Sequence, residues 1–186
     1  MLRLSYDAGQ VTKLRADLAR LADGMRDRVI GRALAGLKRR IKTRATRAIV
    51  EKHPLQSQFV GRRLLARSER MAVEIVGGGT ELNAGQYDGR WRKKSEGATW
   101  QYKRGGPRIT IKSAFISPTS DNRRRIVRRA RKKSGGGLYG RLPIAGMKAP
   151  SIGSNLLGVE VAVSAFAVEF LEKEIERLIK VELKEP

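Results

Sequence analysis

Apolar residues recur at helical spacing through residues 11–50. Leu14, Leu18, Leu21, Met25, Val29, Leu34, Leu37, Ile41, Ala45 and Ile49 follow one another at intervals of three, four or five, the stripe of an amphipathic helix. Gly24 is expected to break or kink that helix, because glycine costs helix stability. Pro54 should end it and open a short helical turn over residues 55–60. Strands are expected around 63–66 and 72–76. The second stretch, Ala72-Val73-Glu74-Ile75-Val76, alternates with period 2, as a half-buried strand does. Gly77-Gly78-Gly79 then stops it and reads as a flexible turn.

Residues 80–107 are polar and glycine-rich. Within them, 98–103 places Trp100 and Tyr102 on one face of a strand, and Gly105-Gly106-Pro107 makes a turn. Residues 108–112 alternate again. The two stretches read as a hairpin that continues into Ser113-Ala114-Phe115-Ile116. Residues 117–149 read as an extended basic arm, with Ser134-Gly135-Gly136-Gly137 as its hinge. A second long helix is expected over 160–183, with Val168, Leu171, Ile175 and Leu178 as its packing line. Val159, Val161 and Val163 also alternate like a strand, but the pattern runs on unbroken, which favours helix. Its first half is apolar nearly all round and is expected to be buried all round, by its own domain or by a neighbouring subunit. These elements predict an α+β fold in a single domain, 1–186: long N-terminal helical segments, a small antiparallel sheet, a long C-terminal helix and the arm within it.

Composition sharpens this picture. Only 5% of residues are aromatic, so aliphatic side chains must build the core. Forty Lys and Arg against 18 Asp and Glu give a net charge of +22, which calls for an acidic partner such as nucleic acid, an anionic membrane or acidic protein. The charge is uneven. Residues 151–186 hold 4 basic and 7 acidic side chains, and the preceding 150 hold 36 and 11. Such a polarity suits head-to-tail packing of copies. The N-terminal residues have no apolar run of the signal-peptide kind. The longest apolar stretch, 161–168, is too short to span a bilayer, which takes about 20 residues.

Chemistry is sparse. The chain has no cysteine and one histidine, so thiolate and multi-histidine metal sites are excluded. No phosphate loop, nucleophile elbow or dinucleotide fingerprint occurs. Neither a catalytic residue, a cofactor nor a metal is expected, and the protein reads as a non-enzyme. His53 is a candidate general base, outweighed by its reading as an exposed helix-end residue favoured by the macrodipole.

Residues 123–133 hold eight basic residues in eleven: Arg123, Arg124, Arg125, Arg128, Arg129, Arg131, Lys132 and Lys133. Such a cluster fits DNA phosphates, acidic neighbouring subunits, or plain solvation. It has no aromatics to stack on bases. The basic face of residues 26–47 admits the same three readings. Trp91, Trp100 and Tyr102 lie among Arg and Lys, and read as a hairpin's apolar face with cation–π contacts before they read as a nucleic-acid surface.

The order of features resembles the prophage minor tail protein Z family of long-tailed phages. The resemblance covers most of the chain. It is carried by the Leu- and Ala-rich N-terminal helices ending in Leu55-Gln56-Ser57-Gln58-Phe59-Val60-Gly61-Arg62-Arg63, and by a strand pair leading to Ala114-Phe115-Ile116. Its most specific part is the return Arg141-Leu142-Pro143-Ile144 followed by Pro150-Ser151, an arm-docking element. Pro143 stiffens it and removes a donor, as at a sheet edge. The resemblance implies a structural protein of the virion at the head-proximal end of the tail, assembled in the host cytoplasm. Its partners would be further copies in a hexameric ring, the tail terminator, the head connector, tail tube proteins and the phage DNA in the channel, with no membrane. The alternative, from composition, is a stand-alone protein that binds nucleic acid without sequence preference.

Overall fold

The computed structural model describes residues 23–69, 72–92, 96–118, 124–129 and 144–182. Helix α1, Asp23–Lys52, is the spine. Its 30 residues span about 45 Å at 1.5 Å each. Val29, Ala33, Leu37, Ile41, Ala45 and Ile49 are fully buried along one side. Gly24 sits in the first described turn, and the helix runs unbroken past it. The expected helix before Asp23 lies outside the described residues. Pro54 does end α1. The Nε of Arg104 donates to the carbonyl of Val50 at 2.7 Å, so a basic side chain from the hairpin satisfies a free carbonyl of the last turn.

Helix α2 follows at Ser57–Arg63. Strands β1, Leu64–Glu69, and β2, Ala72–Gly77, then form an antiparallel pair against α1, with Leu64 facing Gly77 and Glu69 facing Ala72. The glycine triplet after it is not a loose turn. A Cβ at Gly77 would lie 2.9 Å from Gly153 Cα, and Gly153 donates its N–H to the carbonyl of Gly78 at 3.0 Å. The two backbones touch there, which only glycine permits.

Strand β3, Leu82–Asn83, leads into a 3-10 turn, Ala84–Gln86. Strands β4, Arg90–Trp91, β5, Ala98–Gln101, and β6, Arg108–Ile111, form one antiparallel sheet with β5 in the middle. Gly97, at φ +82, enters β5, and a Cβ on it would strike the carbonyl oxygen of Ile111. The expected hairpin is present as β5 and β6, but it does not continue. Ser113 adopts φ +64 and turns the chain. Strand β7, Ala114–Pro118, therefore belongs to a different sheet with β8, Arg124–Arg129, and β9, Ile144–Gly146, in the order β7-β8-β9.

This sheet corrects the expectation of an arm over 117–149. Residues 124–129 are its central strand, and Ile126 and Val127 are buried. The Asn83 side chain fastens it, because its Oδ1 accepts from Ile126 N at 2.8 Å and its Nδ2 donates to Ile126 O at 3.1 Å. Two apolar residues among eight cations look like an interruption in sequence; in space they anchor the strand. Strand β10, Lys148–Ala149, pairs with β3. The rest of the expected arm, 119–123 and 130–143, lies outside the described residues.

Helices α3, Ile152–Leu157, and α4, Glu160–Glu182, close the fold. The fold is α+β, with a long N-terminal helix, small antiparallel sheets and a long C-terminal helix. Helix α4 lies along α1 and buries Val163, Ala167, Leu171, Ile175 and Leu178. Leu171, Ile175 and Leu178 were expected on this line. Val168 is only half-buried, because the buried line advances in steps of four through Ala167. The chain's own domain does not bury the first half of α4 all round, which leaves of the two expectations only burial by a neighbouring subunit. Val161 is 85% exposed, and Ala162 and Ala165 are exposed as well. One core cluster links the helices to the sheets.

Candidate interaction interface

The lone histidine is at the centre of a sealed polar cluster. His53 is 1% exposed, which overturns its reading as an exposed helix-end residue. Its Nδ1 lies 2.8 Å from the backbone carbonyl of Tyr102. A carbonyl only accepts, so Nδ1 carries the proton and donates. Burial pulls the His53 pKa below its usual 6.5, the bond to Tyr102 opposes this, and Lys52 and Lys103 add to the lowering. The Tyr87 hydroxyl donates to the carbonyl of Pro150 at 2.7 Å and accepts from Asn155 Nδ2 at 2.6 Å. Tyr102 donates its hydroxyl to Asn155 Oδ1 at 3.2 Å. Burial pushes the Tyr87 phenol up to about 12 against the opposing bond to Asn155. The cluster ties the end of α1, the 3-10 turn, the β5–β6 hairpin and α3 together. Every group in it is held in its neutral form, so it staples the fold.

Pro150 and Ser151 of the arm-docking element meet this cluster. Ser151 Oγ accepts from Ser154 N at 3.1 Å and caps α3, a short polar side chain satisfying a free N–H. Ile144 enters β9 opposite Arg129. Arg141, Leu142 and Pro143 lie outside the described residues.

Asp88, at φ +52, makes a second polar corner. Arg108 donates from Nη1 to Asp88 Oδ2 at 2.7 Å and from Nη2 to the Asp88 carbonyl at 2.6 Å. Arg90 lies 3.0 Å from the same carboxylate. Partial burial raises the Asp88 pKa, but the two guanidiniums outweigh it and hold the carboxyl below its usual range. A cleft of about 940 Å³ opens beside it, lined by Gln56, Phe59, Arg62, Arg90 and Arg104 among others. Its polar lining is cations and amides, and its one carboxylate, Asp88, is occupied by arginine. Among the described residues no group of three or more His, Asp or Glu is placed to hold a metal ion. No described helix is long and apolar enough to cross a membrane.

The surface is where the chemistry lies, and it has three parts. On β8, Arg125 and Arg128 are exposed. Arg124 and Arg129 are also on that strand. Arg123, Arg131, Lys132 and Lys133 lie outside the described residues.

The second part is α1. Two sets of its cations stand apart. Arg40 and Arg44 turn toward α4, where their guanidinium carbons lie 5.0 Å and 5.7 Å from the ring centres of Phe170 and Phe166. They cover aromatic rings. Arg28, Arg32, Arg39 and Arg47 are exposed, with Lys42 at the edge. Arg32 pairs with Glu182 at 2.9 Å; no carboxylate among the described residues pairs with the other four.

The third part is the outer face of α4. Val161 is 85% exposed and Ala165, four residues on, is exposed as well; just before α4, Leu157 at the end of α3 is 53% exposed. Beyond them the face becomes charged, with the pair Lys173–Glu169 at 2.6 Å.

Of the aromatics expected on a hairpin face, Trp100 and Tyr102 pack on the core, and Trp91 is 58% exposed. Asn83, Tyr87 and Asn155 were not singled out in sequence. Each is a lone polar residue in a polar or glycine-rich stretch, and only the Pro150-Ser151 step signalled a helix start nearby.

Compared with known proteins, the chain matches no family model, no curated protein and no solved structure.

Proposed function

We propose that this chain is a structural, non-enzymatic subunit of a phage tail that completes the head-proximal end of the tail and enables its joining to the head. The observation that carries this reading is the exposed apolar pair Val161 and Ala165 on the outer face of α4, with Leu157 exposed at the end of α3 just before it. A monomeric surface gains nothing from a nearly naked valine in such a pair. A protein neighbour that covers it gains the burial. The order of sequence features supports placing that neighbour in a tail. So does the docking of Pro150 and Ser151 against the core, since the most specific element of the resemblance has a defined structural task here.

In this reading copies associate as a ring at the top of the tail, against the tail terminator and the head connector. The charge polarity of the chain assists such packing. The test is to delete the gene from the genome that carries it and image the particles by negative-stain electron microscopy. Filled heads beside unjoined tails are expected, and a plasmid copy should restore joining. Normal virions after deletion, or a genome that yields no particles, would overturn the proposal. A stand-alone nucleic-acid-binding protein is the second reading, favoured by the net charge of +22.

A further inference from the structure

We infer that the outer face of α1 is a docking rail for the phosphate backbone of duplex nucleic acid. The inference rests on α1 alone and holds whether or not the protein belongs to a tail.

Four observations carry it. Arg28, Arg32, Arg39, Lys42 and Arg47 fall within about 140° of arc at 100° per residue, and Arg28 and Arg39 at its middle lie opposite the buried Leu37 and Ile41. They extend along about 28 Å of helix at 1.5 Å per residue, a length set by the rigid core packing beneath. Arg28, Arg39, Lys42 and Arg47 have no carboxylate partner among the described residues, unlike Lys173, Arg177 and Lys148, each of which is paired to a glutamate. Finally, the residues between them on the outward side are small: Gly31, Ala35 and Thr43. No large apolar or aromatic side chain is exposed on this face.

The last point selects the partner. Protein interfaces are anchored by aromatic and large apolar residues at their centre, and this face has none. A phosphate backbone asks only for cations and donors at regular spacing, and rewards them by releasing its counterions. Small residues between the cations let the helix approach closely. With no side chain shaped for base edges, binding is blind to sequence. The Arg40 and Arg44 guanidiniums are committed to the Phe170 and Phe166 rings and are not part of the rail.

The experiment measures affinity of the full chain for a fluorescent 30-base-pair DNA duplex by anisotropy over a series of salt concentrations. Three variants are compared with the parent. The first carries Arg28→Gln, Arg39→Gln and Arg47→Gln. The second removes the same charge from α4, with Lys173→Gln, Arg177→Gln and Lys180→Gln. The third carries Arg125→Gln and Arg128→Gln on β8. Circular dichroism checks that each is folded; if the triple α1 variant is not, the three single substitutions replace it.

For the α1 variant the slope of log K against log salt should flatten by about 2.7, at about 0.9 per lost phosphate contact, or about 0.9 for each single substitution. The α4 variant should keep the parent slope. Equal flattening by the α1 and α4 sets would reduce the effect to net charge and overturn the rail. Flattening only in the β8 variant would move the contact to that strand and overturn it equally. A parent with no salt-dependent affinity for DNA would do the same. An RNA duplex of the same length should bind with a similar slope, since the backbone is what is read. A strong preference between them would contradict backbone docking. None of these outcomes depends on the gene-deletion result.

Discussion

The two long helices lie against each other, yet their outward faces are made of opposite materials. Helix α1 turns cations outward, four of them without a carboxylate partner among the described residues, and exposes no large apolar side chain. Helix α4 turns Val161, Ala162 and Ala165 outward and pairs its exposed Lys173 and Arg177 with Glu169 and Glu174. Their inward faces are alike: aliphatic, close-packed and without a charge until Glu182. The difference shows that the outward faces are not by-products of the fold. A helix pair needs only a polar exterior to stay soluble. One face here carries more charge than solubility asks for and the other less.

The largest effect separates inside from outside on α4 itself. Leu171→Ala removes a side chain that is 7% exposed and should lower stability by about 2–5 kcal/mol. Val161→Ser, ten residues earlier on the exposed face, should change stability by no more than about 0.5 kcal/mol. Urea denaturation of both variants checks this at a protein concentration too low for association. If Val161→Ser costs as much as Leu171→Ala, Val161 is part of the core, and the contrast between the two faces falls.

A smaller effect comes from the cluster that joins the end of α1 and the short helix α3 to the β5–β6 hairpin. Tyr87→Phe leaves the Pro150 carbonyl and Asn155 Nδ2 without their partner, at a cost of about 1–3 kcal/mol. A melt of the variant checks it. A change below the error of the melt would mean that the cluster is not the staple described above.

The smallest effect is a pH dependence, and its sign follows from the lowered pKa of His53. The native state holds this histidine neutral, whereas the unfolded chain protonates near its usual 6.5. The unfolded state therefore binds more protons below that value, and stability rises with pH there. Stability should be present in full above about pH 6.5 and decline as the pH falls through and below that value. The Asp88 carboxyl is held below its ordinary value of 3.8. Its pairing with Arg108 and Arg90 is lost only as the pH falls below that, outside this window. Urea midpoints at pH 7, 6 and 5 give the answer. A flat profile would show that His53 takes up a proton as readily in the fold as in the unfolded chain.

Much of the fold was legible in the periodicities. The stripe Val29 to Ile49 and the alternation of Val73 and Ile75 are local signals, and both elements stand where they were expected. What escaped was fixed by long-range partners. Ile126 and Val127 look like an interruption in a basic run, because their burial depends on Asn83, 43 residues away. His53 reads as a solvated helix end until Tyr87 and Tyr102 are brought against its ring. Periodicity marked α4 as apolar all round but could not say which side its own domain would leave bare. On the surface, the sequence supplied the cations of α1 but not their division into ring-covering Arg40 and Arg44 and outward Arg28, Arg39 and Arg47. That division depends on where Phe166 and Phe170 fall.

The central claim is that the two outward faces serve two partners, protein on α4 and nucleic acid on α1. The most direct test is the molecular mass of the purified chain by light scattering, at low and high salt, for the parent and for a Val161→Glu, Ala165→Glu variant. The account predicts an oligomer that persists at high salt, because apolar burial holds it, and that dissociates in the variant while the variant still binds duplex DNA at low salt. An oligomer that survives the two substitutions, or a variant that loses DNA binding together with association, would contradict it.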